Sequence, residues 1–392
     1  MLGFLSLSFV GVFFAEDAEA IPAFARKYRM SCTTCHEPVP RLKPYGDDFA
    51  GNGFELADKD APRYYVETGD NNLSLIRDFP LAVRIEGWAR HETMTGTESD
   101  LGLPYNLKLL SGGAIAKNVA YYFYFYVSEH GEVAGVEDAY IMFNDLFGQD
   151  LDVYLGQFQV SDPLFKREVR LTFEDYIIYT VNPGQSDINL KYDRGVMITY
   201  GAPTGTDIIF ELVNGNGLVE AEGARNIYDD DKYKNVMGRV SQDINEYARI
   251  GAFGYYGKEA DTEGDKNEVW MVGGDATLGY GPLELNLQYI ERRDDNPTFE
   301  SPNDVGDEIE TRGGLAECIL WPHGDQSKWY AVALYNYVES DLNIGPYDEL
   351  TYNTIAGHVG YMLTTNIRLT AENIYDIELE ENSALLGFVA AF

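Results

Sequence analysis

The chain is 392 residues long and carries 64 acidic against 29 basic side chains, a net charge of −35, which makes nucleic acid a poor partner. With 45% hydrophobic and 24% charged residues it is not compositionally disordered. Its 29 Tyr, 20 Phe and 4 Trp, with 39 Gly for turns, favour strands and hairpins and make an all-α fold a poor fit.

Residues 2–14 (LGFLSLSFVGVFF) form an apolar core, and Ala18-Glu19-Ala20 fits the small-x-small cleavage pattern of a secretory signal. The expectation is a signal peptide over residues 1–20 and a mature start at Ile21. No Lys or Arg precedes Leu2, which points to a start codon further upstream or a truncated sequence. The alternative is a buried N-terminal strand or helix. Beyond residue 20 no apolar run reaches the roughly 18 residues that a membrane-spanning helix needs. A helical membrane protein is excluded, whereas a β-barrel is not.

Cys32-Thr33-Thr34-Cys35-His36 is a C-x-x-C-H sequence. In that order two thiols add to the haem vinyl groups and the adjacent imidazole turns onto the iron. One covalent haem c is therefore expected at Cys32 and Cys35, with His36 as proximal iron ligand. Thioether bonds suit an exported protein that could otherwise lose a diffusible haem. A zinc site would need two further Cys or His ligands at finger-like spacing, and none lies nearby in the sequence. A thioredoxin-like pair would need a βαβ context, which Pro38, Pro40 and Pro44 make poor. A Cys32–Cys35 disulfide is the plain alternative. Cys318, in the strand-like AECILW, reads as a small buried hydrophobe. A single motif implies a single haem. The stretch from Ile21 to about Thr68 is short for a free-standing cytochrome core, so another part of the chain must wrap it, and the cytochrome segment is bounded at 21–79.

Ile21-Pro22-Ala23-Phe24-Ala25-Arg26, the CTTCH run, Pro40-Arg41-Leu42, Gly46, Phe49 and Gly53-Phe54 together resemble the N-terminal segment of the monohaem cytochrome–porin fusions. These are the outer-membrane c-type cytochrome iron oxidases of iron-oxidising bacteria. The resemblance covers about 35 residues. It implies a small cytochrome segment ahead of a 16-strand outer-membrane barrel. It also implies that electrons from extracellular Fe(II) pass through the haem to periplasmic carriers, an Fe(II):cytochrome c oxidoreductase activity. The same segment would equally serve related fusions without known iron chemistry, so the resemblance leaves the substrate open.

Residues 80–392 read independently as repeated alternating segments of about ten residues. In Leu283-Glu-Leu-Asn-Leu-Gln-Tyr289, parity turns Leu283, Leu285, Leu287 and Tyr289 to lipid and Glu284, Asn286 and Gln288 to a wet lumen. In Leu81–Gly87 the same parity puts Arg84 and Glu86 inside. Strands are expected near 80–94, 104–116, 119–129, 133–147, 151–161, 190–202, 205–215, 234–242, 246–258, 267–280, 282–295, 309–322, 327–340, 350–363, 365–378 and 382–392. That is about 16, an even number, as single-chain bacterial barrels require. Connections after even strands are tight, such as Lys117-Asn118 and Gly281-Pro282. Those after odd strands are mostly long and acidic, including 162–189, 216–233, 259–266 and 296–308. Short periplasmic turns and long extracellular loops are the barrel's asymmetry; a soluble sandwich predicts none. The fold class is thus all-β: a transmembrane barrel with a small N-terminal helical or irregular plug, in the outer membrane of a Gram-negative bacterium. Leu386, Phe388, Ala390 and the terminal Phe392 resemble the assembly signal of such barrels.

The acidic runs Asp229-Asp230-Asp231, Asp294-Asp295, Asp304 to Glu310 and Glu378 to Glu381 fall in connections expected outside the cell. They read as a solvated face that can also draw cations such as Fe²⁺ to the barrel mouth. No hydrolase elbow, phosphate-binding Gly loop or H-E-x-x-H helix occurs, and Asn214-Gly-Asn-Gly217 is turn chemistry. The motif leaves the distal iron ligand open. His91 and His130 fall at the outer rim and His323 in a periplasmic turn, whereas strand parity turns His358 and Met362 inward. His358 is the named distal candidate, against a wet-wall histidine that never meets iron. Met197, Met237, Met271 and Met30 are rivals, and a five-coordinate or water-bound iron is open. Three functions compete: an outer-membrane electron conduit, a diffusion porin or general electron-transfer barrel with a haem plug, and a soluble periplasmic cytochrome with a β-sandwich.

Overall fold

A computed structural model of the chain describes residues 23–56, 69–70, 72–73, 75–76, 79–93, 98–221, 224–229, 231–299, 308–342 and 350–392. The expected leader at 1–20 and its cleavage point at Ile21 lie outside the described residues, as do Asp230 and residues 304–307 of the acidic runs.

Sixteen antiparallel strands close into one barrel: β1 (Leu81–Glu92), β2 (Glu98–Ala116), β3 (Val119–Glu129), β4 (Gly135–Phe143), β5 (Leu151–Gln159), β6 (Tyr192–Ala202), β7 (Thr206–Val213), β8 (Asn235–Asn245), β9 (Ala248–Ala260), β10 (Lys266–Tyr280), β11 (Leu283–Asp294), β12 (Ile309–Leu320), β13 (Trp329–Ser340), β14 (Thr351–Thr364), β15 (Ile367–Asp376) and β16 (Glu381–Ala391). Each strand pairs with its sequence neighbour, and β1 closes on β16 with Arg84 opposite Ala391. The terminal Phe392 extends that seam, because its N–H donates to the Val83 carbonyl at 2.9 Å while Val83 returns the bond at 2.7 Å. Closure leaves no unpaired sheet edge, which is the condition for strands to cross lipid.

The alternation in the sequence decides which face meets lipid. On β11, Leu283, Leu287 and Tyr289 are exposed while Asn286 and Gln288 are buried. On β14, Ile355, Val359, Tyr361 and Leu363 point out and His358 points in. The outer face is aliphatic and aromatic, so the barrel sits in a bilayer, and a barrel of this type belongs to the outer membrane of a Gram-negative bacterium. The expected strands match these to within a few residues, except that β2 starts six residues earlier, at Glu98.

Connections after even strands are short, down to the two residues of Lys117-Asn118, where Asn118 takes the left-handed conformation (φ 59°). The longest connections, residues 160–191 and 214–234, follow odd strands and mark the extracellular end. The connections after β1, β3, β9 and β15 are short, so the asymmetry rests on fewer loops than expected. Residues 162–189, expected as an outer loop, instead turn into the lumen. They carry the apolar Leu164, Leu171, Tyr176, Ile178, Tyr179 and Ile188, all buried, and leaving these in water would cost roughly 1.5–3 kcal/mol for each large side chain.

That segment crosses from β5 to the opposite wall. Tyr176 donates to Glu317 on β12 at 2.9 Å, and Tyr179 donates to Gln288 on β11 at 3.1 Å. The backbone N–H groups of Phe173 and Glu174 donate to Glu372 on β15 at 2.6 and 2.8 Å. The inner wall is consequently buried as well as polar, including Asn267, Asn286, Glu317, Asn336 and His358. Asp294 is part of this network and not of an extracellular acidic face: it accepts Arg292 at 2.7 and 2.8 Å and is fully buried.

Candidate functional site

The described part of the N-terminal segment packs at the periplasmic end of the barrel, with contacts to β3, β11 and β15. It comprises α1 (Ala23–Tyr28), a 3-10 turn at Cys32–Thr34 and α2 (Pro44–Gly51). Its core is four rings: Phe24 stacks on Phe54 at 4.6 Å, and Phe49 meets Phe24, Tyr28 and Phe54 edge-on at 5.5, 5.6 and 5.9 Å. Phe54 then stacks on Tyr122 of β3 at 5.5 Å, which docks the segment on the wall. The chain reverses at Gly53, whose φ of +67° suits glycine, and a Cβ there would meet Ala120 and Asn144 at 2.6 and 2.2 Å.

Ser31 caps the 3-10 turn, accepting the Thr33 N–H at 3.3 Å. The N–H groups of Cys35 and His36 both donate to the Cys32 carbonyl, at 3.1 and 3.0 Å, so the two thiols and the imidazole stem from one turn. Both thiols are free and half-buried, and burial pushes both up, with Lys43 pulling Cys35 the other way. Gly46 of α2 packs directly on this hook: a Cβ would stand 2.3 Å from the Cys35 carbonyl oxygen.

His36 is held from behind. Its Nδ1 lies 2.7 Å from the Pro40 carbonyl, and since a carbonyl only accepts, Nδ1 carries the proton. The Nε2 lone pair is left as a metal donor, the arrangement that orients ligating histidines. Burial pushes this imidazole down, towards the neutral form that ligation requires.

A cavity of about 230 Å³ separates the hook from the wall, lined by Thr33, His36 and Val39 on one side and by Trp321, Lys328 and Met362 on the other. Arg368 on β15 donates to the Val39 carbonyl at 3.0 Å, and Arg41 pairs with Glu284 on β11. Lys166 of the crossing segment reaches Asp47 on α2 at 3.5 Å, joining the two fillings of the lumen. A second cavity, about 280 Å³, lies higher, with Arg84, Lys108 and Arg170 set against Glu86, Glu137 and Glu168. Glu168, on the crossing segment, is pushed up by burial but held well below the usual carboxylate range by Lys108 and Arg170.

His358 engages both ring nitrogens. Nδ1 lies 2.7 Å from Glu372 Oε2 and Nε2 lies 3.2 Å from the Tyr330 hydroxyl. Reaching iron would require it to give up Tyr330. Met197, Met237 and Met271 are buried within the large lumenal apolar cluster and do not line the cavity at the hook. His91 and His130 are exposed at the extracellular end and His323 in a periplasmic turn. Cys318 is half-buried on β12. Among the described residues no group of three or more His, Cys, Asp or Glu is arranged to hold a metal ion. Sequence reasoning missed the crossing segment and the Glu372–His358–Tyr330 set. The hydrogen-bonding residue types were visible, but their pairing across the lumen was not.

No family model matches the chain, and no curated protein matches it. Solved structures do. An anion-selective porin from Comamonas acidovorans superposes with a TM-score of 0.59 at 12% identity, over 80% of this chain and 99% of that one. The outer-membrane channel DcaP of Acinetobacter baumannii gives 0.57 at 13% identity, over 80% and 97%. Salmonella typhi OmpF gives 0.56 at 11%, over the same shares. At these identities the likeness establishes the porin-like barrel fold.

Proposed function

We propose that this porin-like outer-membrane barrel is an electron conduit, in which one covalent haem c at the periplasmic mouth links an extracellular donor to periplasmic carriers. The observation that carries the reading is the hook itself: Cys32, Cys35 and His36 on a single turn, with Nδ1 of His36 bound to a backbone carbonyl and Nε2 left for a metal. Cys32 and Cys35 would hold the group by thioether bonds and His36 by its Nε2. Bound haem supplies a one-electron Fe(III)/Fe(II) couple.

The remaining work belongs to the chain. Pro40 fixes the imidazole, Gly46 lets α2 brace the hook, and the filled lumen obstructs ion flow. Carboxylates at the extracellular end, among them Glu308 and Glu310, concentrate cations, an attraction that salt screens over about 8–10 Å. Fe(II) as the donor rests on the resemblance of the N-terminal segment together with this charge. Replacing Cys32 and Cys35 by Ala is expected to abolish haem staining on a denaturing gel, and a retained stain would refute the covalent site.

The second reading is a diffusion porin or a less specific electron-transfer barrel with a haem plug. It is favoured by the likeness to channels and by the charged 280 Å³ lumenal cavity. Planar-bilayer conductance separates the two: the conduit passes few ions, whereas a porin with the plug in place conducts steadily.

A further inference from the structure

We propose that Glu211 and the two methionines beside it, Met197 and Met237, form a site for one soft monovalent cation, Cu(I). No residue of the hook takes part, so the site is independent of the haem reading. The strands set its arrangement. In Ile208-Ile-Phe-Glu-Leu212 of β7, parity sends Phe210 and Leu212 out to lipid, where both are exposed, and Glu211 into the lumen. The partner of Glu211 across the β6–β7 ladder is Met197, and its partner across the β7–β8 ladder is Met237. Paired residues share a face, with Cβ atoms about 4.5–5.5 Å apart. Two thioethers therefore flank one carboxylate at one level of the inner wall, and all three side chains are buried. The row continues to Tyr154 beyond Met197 and to Tyr255 beyond Met237, both buried, and these rings close the flanks to water.

The carboxylate lacks what a buried charge needs. Neither Glu211 oxygen has a hydrogen-bond partner among the described residues, although an unpaired buried charge is among the costliest groups a fold can hold. The charged groups that act on it are Asp162 and Asp193, and both are acidic. Asp193 is itself satisfied, accepting the Arg194 and Gly215 N–H groups at 2.6 Å each. The arginines on neighbouring strands are engaged elsewhere. Arg239, two residues along β8 from Met237, forks onto Asp275 at 2.6 and 3.2 Å, and Arg292 forks onto Asp294 at 2.7 and 2.8 Å. An ionisable side chain at membrane depth is costly to hold and points to a function. The partner that Glu211 lacks is positively charged.

The donor set selects the ion. Thioether sulfur is a soft ligand that favours Cu(I), whereas Ca²⁺ and Mg²⁺ take shells of about six or more oxygens and Zn²⁺ prefers thiolate, imidazole and carboxylate. A single positive charge against a single carboxylate leaves the site neutral, which an apolar surround favours over a divalent ion. Methionine's unbranched, rotatable chain lets both sulfurs swing onto an ion in front of the carboxylate. Such a site needs no group of His, Cys and acidic ligands, and among the described residues none is arranged to hold a metal.

The experiment titrates purified full-length protein with Cu(I), anaerobically and in competition with a Cu(I) chelator, with bound copper counted by elemental analysis. Because the site is enclosed, it is run on folded protein and on protein refolded with Cu(I) present, and heat-modifiable gel migration checks the fold of each variant. The wild type is expected to retain one Cu(I), with sulfur and oxygen neighbours in its X-ray absorption spectrum. Met197→Leu and Met237→Leu conserve volume, and Glu211→Gln keeps the shape without the charge; each should weaken binding by about tenfold or more. Replacing Cys32 and Cys35 by Ala and Cys318 by Ser should leave the affinity unchanged, which separates this site from the thiols whether or not haem is attached. No retained Cu(I) in either preparation overturns the proposal. Binding that survives Met237→Leu and Glu211→Gln, or that is lost with the cysteines, overturns it as well. A carboxylic-acid infrared band, assigned to Glu211 by its loss in Glu211→Gln and persisting with Cu(I) added, would put a proton in the cation's place and equally overturn it.

Discussion

Gly46→Ala isolates the contact between α2 and the hook. An added Cβ would stand 2.3 Å from the Cys35 carbonyl oxygen and 3.0 and 3.1 Å from Cys35 C and Cβ. The oxygen cannot swing aside, because it accepts the Lys43 N–H at 2.9 Å and belongs to the turn bearing both thiols. Overpacking of this kind costs about 1–3 kcal/mol, and a backbone neighbour places it near the upper end. Against this, Ala gains about 1 kcal/mol over Gly in a helix. The balance is a loss of about 2 kcal/mol, or roughly a 30-fold rise in local opening. Amide hydrogen exchange of α2 in the full-length protein measures that opening directly. Faster exchange confined to residues 32–51, with the barrel strands unchanged, is the expected result. Exchange equal to wild type would refute the packing argument and the role given to Gly46.

Phe54→Ala removes the stacks on Phe24 and Tyr122 and should weaken docking of the N-terminal segment by about 3–5 kcal/mol; proteolysis should then cut that segment in a barrel that still migrates as folded. Arg239→Met breaks a buried bidentate pair with Asp275, at 2.6 and 3.2 Å, and should cost about 3–5 kcal/mol, lowering the temperature of heat modification. Arg312→Ala, which loses an exposed pair with Glu339, should shift that temperature little. Asp162, on the crossing segment, is pushed up to about 6 by burial, with Lys166 pulling the other way. Its folded value lies above the ordinary carboxylate value of about 4, so its protonated form favours the docked segment. Anchoring should be strongest at acid pH and weaken as pH rises through about 6. Asp162→Asn should remove this dependence in pH-resolved exchange of residues 160–191.

The barrel was legible because a lipid-facing strand must alternate with period two, as Leu283–Tyr289 and Ile355–Leu363 do, and because short turns alternating with long loops separate a barrel from a soluble sandwich whose strands also alternate. Strand ends followed from turn residues such as Asn118 and Gly281. The hook was legible because its chemistry depends on residue order alone. The crossing segment was not: Leu164, Leu171, Tyr176 and Tyr179 follow neither a helical nor a strand period, so nothing local marks them as buried. Their burial comes from partners more than a hundred residues away, Gln288, Glu317 and Glu372. Asp294 looked like surface acid because its neighbour Asp295 does, yet strand parity turns it towards Arg292 and Asn267. Parity also pointed Met362 and His358 inward together. Only the fold separates them, through Tyr330 and Glu372 around one and the cavity beside the other.

The central claim, that electrons and not ions cross this barrel, is tested most directly in proteoliposomes enclosing an oxidised soluble c-type cytochrome and a colour-forming ferrous chelator, with anaerobic Fe(II) added outside. The wild-type protein is predicted to reduce the enclosed cytochrome while the chelator stays colourless, and the Cys32→Ala/Cys35→Ala variant to leave the cytochrome oxidised with the chelator again colourless. Equal cytochrome reduction by the haem-less variant, with the chelator coloured, would contradict the account and identify an open pore.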